Sequence, residues 1–252
     1  MEIICVANQK GGIGKTTTAT AIASVLHERG EKVLLIDTDP QCNSTDTYQA
    51  KVAHTDTLYD VILNKDNPST LIEAIQHTDC GDIVASDPAL KNADVYLQND
   101  AGALYALKEA LSELSGYDYV IFDTAPADNV LLKNCLVAAT KVVIPITTDR
   151  YAIQGLADLN KTINTIKRYQ NPTLSIAGLL LIKYKKNQLL AKEVKEALNH
   201  VAIQMKTKVF DTTISESVNV QKAQAQRTSL IKYAPKSTTA IDYIKFVDEL
   251  TK

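Results

Sequence analysis

The chain has no apolar run long enough to cross a bilayer. Spanning the hydrocarbon takes about 18 to 20 consecutive apolar residues; the longest candidate, Cys135 to Ile146, is broken by Thr140 and Lys141. It lacks the basic-then-apolar layout of a secretory leader, because its first residues already form a buried-strand pattern. Its cysteines are few and unpaired: Cys5, Cys42, Cys80 and Cys135 include no C-x-x-C spacing. That argues against a disulfide framework or a zinc site and points to a reducing, cytoplasmic compartment. Internal repeats, low-complexity tracts and linkers are also missing, so 1–252 reads as a single domain. No helix-turn-helix segment precedes the first strand, so sequence-specific operator binding by this chain is not expected.

An excess of charge of one sign is lacking as well: the net charge over 252 residues is −2. Its distribution is uneven. From Lys183 onward there are 13 Lys+Arg against 7 Asp+Glu, whereas the first 182 residues hold 14 against 22. A basic C-terminal third on an acidic body is either an unevenly solvated surface or a positive face for a polyanion.

What is present is a regular alternation. Short continuous apolar runs at Glu2–Asn8, Lys32–Asp37, Asp82–Ala85, Tyr117–Asp123, Val142–Thr147, Leu174–Ile182 and Lys208–Phe210 read as strands. Helical spacing is found over Thr16–Arg29, Thr57–Asn64, Pro68–His77, Ala101–Leu114, Leu131–Ala139, Tyr151–Tyr169, Gln188–Val201 and Thr238–Leu250. Strands that are apolar throughout and alternate with helices indicate an α/β fold. Its sheet should be twisted, mostly parallel and covered on both faces. Ligands of such sheets bind at the carboxyl ends of the strands.

The unusual residues fall at those ends. After the first strand comes Gln9-Lys10-Gly11-Gly12-Ile13-Gly14-Lys15-Thr16-Thr17, then a helix. Glycines let the backbone turn its N–H groups onto phosphate oxygens, and the helix start adds positive potential. Lys15 is placed to reach the β- and γ-phosphates, and Thr16 to ligate Mg²⁺. The strict phosphate-loop pattern G-x-x-x-x-G-K-[ST] fails at one position, where Gln9 stands for glycine, and a second lysine, Lys10, lies inside the loop. Two further strands end in Asp37-Thr38-Asp39-Pro40-Gln41 and Asp123-Thr124-Ala125-Pro126. A lone aspartate there reads as a cap or turn residue. Three at one end of a sheet, beside a phosphate loop, read as Mg²⁺ support and orientation of an attacking water.

Lys10 to Thr17, followed by Ile36-Asp37-Thr38-Asp39-Pro40-Gln41, resembles the deviant Walker A and following acidic motif of ParA-type partition ATPases, a group that also includes MinD and nitrogenase iron protein relatives. The likeness continues through Asp123-Thr-Ala-Pro126, the segment from Val142 to Leu156, and Ser229 to Ser237. It implies a P-loop fold and a weak, partner-stimulated ATP hydrolase using ATP and Mg²⁺. In the family an ATP-sandwiched homodimer binds DNA without sequence preference, and a ParB-like centromere-binding protein releases it. The expected setting is the cytoplasm, on the nucleoid, with no membrane partner.

Carried over by residue, the resemblance assigns Lys10, Lys15 and Asp39 to catalysis. Lys10 crosses the dimer interface to the partner's nucleotide, and Asp39 positions the water. Lys10, Gly11, Gly12, Ile13, Gly14, Lys15, Thr16 and Thr17 hold the nucleotide. Thr16 ligates the metal, and Asp37 and Asp123 support it through water. Lys222, Arg227, Lys232 and Lys236 are the DNA-binding candidates. The arginine-rich stretch common in the family is replaced by Ile214-Ser215-Glu216-Ser217-Val218-Asn219, preceded by Asp211. This removes positive charge and a proline often near the adenine.

Other classes stay open at this stage. A MinD-like ATPase acting on a membrane or protein cargo would want a basic amphipathic C-terminal helix, but this tail ends with Asp248 and Glu249. An iron–sulfur carrier would rely on Cys135, whose plain reading is a buried small apolar residue. A tyrosine kinase of similar loop type would carry a C-terminal tyrosine cluster, where only Tyr233 and Tyr243 occur.

Overall fold

The computed structural model describes residues 1–98, 100, 102–148, 154–184 and 189–252. Eight strands among them form one sheet: β1 (Glu2–Val6), β2 (Val33–Asp37), β3 (Ile75–Thr78), β4 (Gly81–Val84), β5 (Tyr119–Asp123), β6 (Lys141–Thr147), β7 (Ser175–Tyr184) and β8 (Ile214–Ser215). The order across the sheet is β3-β4-β2-β5-β1-β6-β7-β8. Every pairing is parallel except the β3–β4 hairpin. From β1 the chain runs outward to β2 and the β3–β4 hairpin, returns to place β5 between β2 and β1, and then runs outward on the other side through β6, β7 and β8, so a crevice opens beyond the strand ends near β1.

The period of two along each strand sorts the core into two layers. On β1, Ile3 and Cys5 face one layer while Ile4 and Val6 face the other. β2 and β5 alternate in the same way, Leu34, Ile36, Val120 and Phe122 against Val33, Leu35 and Ile121. The first layer is closed by the helices Ala106–Ser112, Val130–Ala138 and Gln154–Tyr169. The second is closed by Lys15–Glu28 and Thr238–Leu250, which bring Ile22, Leu26, Tyr243, Phe246 and Leu250 onto the sheet.

Three sequence expectations are corrected. Pro68–His77 is not a helix: residues 71–74 make one turn, entered at Thr70, whose N–H and hydroxyl both bond the Glu73 carboxylate at 2.8 Å. Leu71 and Ala74 are buried by that turn. The chain then straightens into β3, because the hairpin to β4 through Asp79 and Cys80 supplies ladder partners that a continued helix would forgo.

The helix expected over Ala101–Leu114 runs only over Ala106–Ser112. The buried Asn134 amide takes the Leu107 N–H at 3.2 Å and donates to the Ala103 carbonyl at 2.6 Å, replacing helical bonds by a tertiary contact. Lys208–Phe210 forms a single bridge at Leu179, closed by bonds of 2.9 and 3.0 Å, and the true edge strand is β8. The start of the helix expected from Tyr151, and Gln188 at the head of the next, lie outside the described residues; the helices themselves span Gln154–Tyr169 and Leu189–Gln204. Unforeseen short helices occur at Asn43–Thr47, Pro88–Asn92 (a 3₁₀ turn), Ala93–Leu97, Val218–Ala225 and Leu230–Tyr233.

Candidate functional site

The loop between β1 and the helix Lys15–Glu28 is anchored at its base, and Lys10, Gly11 and Gly12 are exposed. The Asn8 side chain ties both ends of the entry, donating to the Pro145 carbonyl at 2.9 Å and accepting the Lys10 N–H at 3.0 Å. Ile13 is buried in the core. Gly14 enters the helix at φ +93°, where a Cβ would be strained and would also stand 3.1 Å from Ile182. No side chain caps this helix and no acid lies in its first turn, so its N–H groups remain available to an anion.

Lys15 is 94% buried (6% exposed), with its ammonium 3.0 Å from the Lys10 carbonyl. Burial pushes its pKa down, while the carboxylates of Asp123 and Asp39 hold it up.

The strand ends line up. Val6 of β1 is in register with Asp123 of β5, and Asp123 with Asp37 of β2. The threonine after each aspartate bridges to the next strand: Thr38 Oγ1 donates to the Asp123 carbonyl and Thr124 Oγ1 to the Val6 carbonyl, each at 2.8 Å. The two carboxylates differ in their partners. Asp37 Oδ2 accepts the Thr45 N–H and hydroxyl at 2.9 and 2.8 Å, and Oδ1 accepts the Asp39 N–H at 3.1 Å. Asp37 therefore organises the turn that carries Asp39.

Asp123 Oδ2 takes the Ser44 hydroxyl at 2.7 Å, while its Oδ1 is buried without a hydrogen-bond partner. Burial drives the Asp123 pKa up to about 6, against the pull of the Ser44 and Thr16 hydroxyls. Such an orphaned oxygen beside a threonine is a hard-ligand environment that fits Mg²⁺ or one of its waters. Among the described residues no group of three or more His, Cys, Asp or Glu converges on one point. A cation here would complete its shell with phosphate and water, as Mg²⁺ does.

A cavity of about 590 Å³ opens on the loop. Its floor is Gly12, Gly14, Lys15, Thr16 and Thr17, with Asp39 at one side. One wall is Asn43, Asp46 and Thr47; the other is Ser215, Glu216, Ser217, Gln221 and Gln224, with Tyr243 behind. The replaced stretch 211–219 is pinned to the C-terminal helix. Glu249 accepts the N–H groups of Asp211 and Thr212 at 2.9 and 3.0 Å, and Asp242 accepts that of Ser215 at 2.9 Å.

Lys222, Arg227, Lys232 and Lys236 are all exposed, on the segments beyond this wall. Two of them have intramolecular partners: Arg227 Nε is 2.8 Å from Asp46 Oδ1, and Lys232 Nζ is 3.1 Å from the Asp79 carbonyl. Cys135 is fully buried, its thiol 3.7 Å from Thr38 Oγ1. The apolar stripe of Thr238–Leu250 is buried on the sheet.

Sequence reasoning did not find Asn8, Thr38, Ser44, Thr45 or Thr124. The two Asp-Thr pairs at strand ends were a usable signal for Thr38 and Thr124. Nothing local announced the others.

Residues 1–176 match a family described as "AAA domain". The chromosome partitioning protein ParA of Caulobacter vibrioides is 33% identical over 257 residues, covering 99% of this chain and 94% of that protein. Cobyrinic acid a,c-diamide synthase of Mycobacterium smegmatis, with a bound ATP analogue and magnesium, superposes with a TM-score of 0.84 at 31% identity, covering 98% of this chain and 93% of that one. Apo McdA of Cyanthece superposes with a TM-score of 0.88 at 25% identity over the whole of both chains.

Proposed function

Because the chain belongs to the ParA-type partition ATPases of the P-loop group, we propose that it is an ATP hydrolase that segregates DNA by switching between a DNA-bound dimer and a released monomer. The observation that carries this reading is that Gly12, Gly14, Lys15, Thr16, Thr17 and Asp39 line one cavity, at the strand ends where Asp123 is in register with Val6 and Asp37.

In this reading the loop N–H groups and the helix start receive the phosphates, and Lys15 neutralises them from below. Thr16 and Asp123 would hold Mg²⁺, Asp123 through water; the ion supplies neutralisation of charge on the phosphate oxygens. Asp37, with both oxygens bonded within the protein, supports this site by holding Asp39 in place. Asp39 orients the water that attacks the γ-phosphate. Lys10, exposed on the loop, reaches the nucleotide of a second copy and stabilises the charge that develops in transfer. Lys222, Arg227, Lys232 and Lys236 contact DNA phosphates, giving sequence-independent, salt-sensitive binding. A ParB-like partner accelerates hydrolysis and release.

The test is binding to non-specific duplex DNA without nucleotide, with ADP and with a slowly hydrolysed ATP analogue, at two salt concentrations. Salt-sensitive binding only with the analogue, lost in Lys10→Ala and Lys15→Ala, is the expected result. Binding without nucleotide, or binding that survives both substitutions, overturns the switch. Dimerisation without DNA binding moves the cargo to a protein assembly.

A further inference from the structure

The tip of the phosphate loop has little to hold it. Gly12 is exposed, sits at φ +68°, and has no other atom within 4 Å of where its Cβ would be. Yet a cradle for phosphate works only if its N–H groups are fixed before the anion arrives, since ordering them on binding costs affinity. A specific tie is present: the ammonium of Lys183 donates to the Gly12 carbonyl at 3.0 Å.

Lys183 reaches the loop from the far side of β6. It lies near the end of β7, the longest strand of the sheet, at φ +53°, a left-handed conformation uncommon for a residue with a side chain. Its predecessor Ile182 packs against Gly14, so the end of β7 rests directly on the loop. Lys183 also lines the 590 Å³ cavity together with Gly12, Gly14, Lys15 and Thr16. An ammonium has three N–H donors, and the Gly12 carbonyl uses one. The others are left for an anion in the cavity.

We propose that Lys183 is a third lysine of the nucleotide site, bridging the Gly12 carbonyl and the polyphosphate of the bound nucleotide. It rests on the reading of this loop as the ATP site, and it adds a ligand contact from a strand outside the loop motif. Lys183 combines a positioning role, through Gly12, with a charge role toward the phosphates. The two separate by substitution. Arginine keeps the charge and the donors, glutamine keeps a donor without charge, and methionine keeps neither.

The experiment is equilibrium binding of fluorescent ATP and ADP, over a series of salt concentrations, to the full chain and to Lys183→Arg, Lys183→Gln and Lys183→Met. Lys15→Ala is the control, and urea unfolding of each variant is measured alongside. The expected result is a loss of about tenfold in affinity for Lys183→Met and a smaller loss for Lys183→Gln, by the scale of a charge-assisted hydrogen bond. Both should show a shallower salt dependence, and Lys183→Arg should stay close to the parent. Unfolding midpoints should stay together, because the side chain is exposed. Equal affinity and salt slope in Lys183→Met and the parent, with Lys15→Ala defective, overturns the Lys183 assignment and leaves the loop reading standing. Full affinity in Lys183→Gln with loss in Lys183→Met overturns the charge role. A parent chain that binds neither nucleotide overturns both readings.

Discussion

Asp37 and Asp123 stand opposite one another at the ends of adjacent parallel strands, fully buried, and share a register position in the sheet. Two carboxyl groups so placed cannot both ionise freely. Burial, and then the charge of Asp123, raise the Asp37 pKa to about 8; burial raises that of Asp123 to about 6.

Both folded-state values lie above the unfolded value of about 3.9. The folded chain therefore binds these protons more tightly than the unfolded chain does. The stabilisation they contribute is complete below about pH 4 and is lost as pH rises through about 6 and then about 8. In the absence of nucleotide and with chelator present, the parent should lose urea stability relative to Asp37→Asn between pH 5 and pH 9. A difference that stays constant, or that moves the other way, sinks this account.

Gly178 exists to seat a ring. A Cβ at this position of β7 would stand 2.6 Å from Phe210 Cε2. Phe210 is buried and meets Phe246 of the C-terminal helix edge-to-face at 4.9 Å, so it has no room to retreat. Gly178→Ala should cost about 1–3 kcal/mol, the usual scale of overpacking, measured by urea unfolding. Phe210→Leu added to Gly178→Ala should return part of that loss; no recovery in the double variant argues that the clash is elsewhere.

The parts of this molecule that sequence displayed well are those governed by local pattern. The continuous apolar runs of β1, β2 and β5 and the glycine-rich loop are nearly where spacing puts them, and Thr238–Leu250 coincides with its helix. The parts that were hidden depend on partners distant in sequence. Asn134 shortens the helix before it by satisfying Leu107 and Ala103, and no spacing rule encodes that. One helical turn, residues 71–74, precedes β3, and the strand appears only once β4 offers hydrogen bonds. At the site, the three aspartates were visible at strand ends, but the difference between them was not. Asp37 is saturated by Thr45 and Asp39, whereas Asp123 keeps an oxygen without a partner. Lys183 lies 171 residues from Gly12, which no motif bridges.

Asp46 lines the 590 Å³ cavity and holds Arg227, so one wall of the cavity is clasped to the DNA-binding candidate face. The clasp is doubled by Gln49 Nε2, which donates to the Arg227 carbonyl at 3.0 Å. Both side chains of the ion pair are about half exposed, so the pair itself contributes only about 0–1 kcal/mol. Asp46→Asn should therefore leave urea stability nearly unchanged. It should tighten analogue-dependent DNA binding and steepen its salt dependence, because a negative charge is removed beside the guanidinium, whose Nε keeps its bond to the Asp46 carbonyl at 3.3 Å. Weaker DNA binding in this variant would show that Arg227 serves the fold and not the DNA.

The C-terminal helix decides between a core element and a membrane anchor. Ala240, Tyr243, Phe246, Val247 and Leu250 repeat at helical spacing and are all buried against the sheet and the helix Lys15–Glu28. The Tyr243 hydroxyl lies 3.1 Å from Thr18 Oγ1, a buried polar contact that fixes the helix rotation beside the phosphate loop. Arg29 and Asp248 add an exposed ion pair at 2.6 Å. To offer its apolar stripe to lipid, this helix would have to leave that site and expose Phe210 and the second core layer. Phe246→Ala should then cost about 3–5 kcal/mol, as for other large-to-small changes in a packed core, and weaken ATP binding through the Thr18 end of the loop helix. Liposome flotation with the ATP analogue should recover the parent chain in the lipid-free fractions. Flotation that depends on the analogue and is abolished in Phe246→Ala at a temperature where the variant is folded would reverse the assignment, making this stripe a releasable membrane surface.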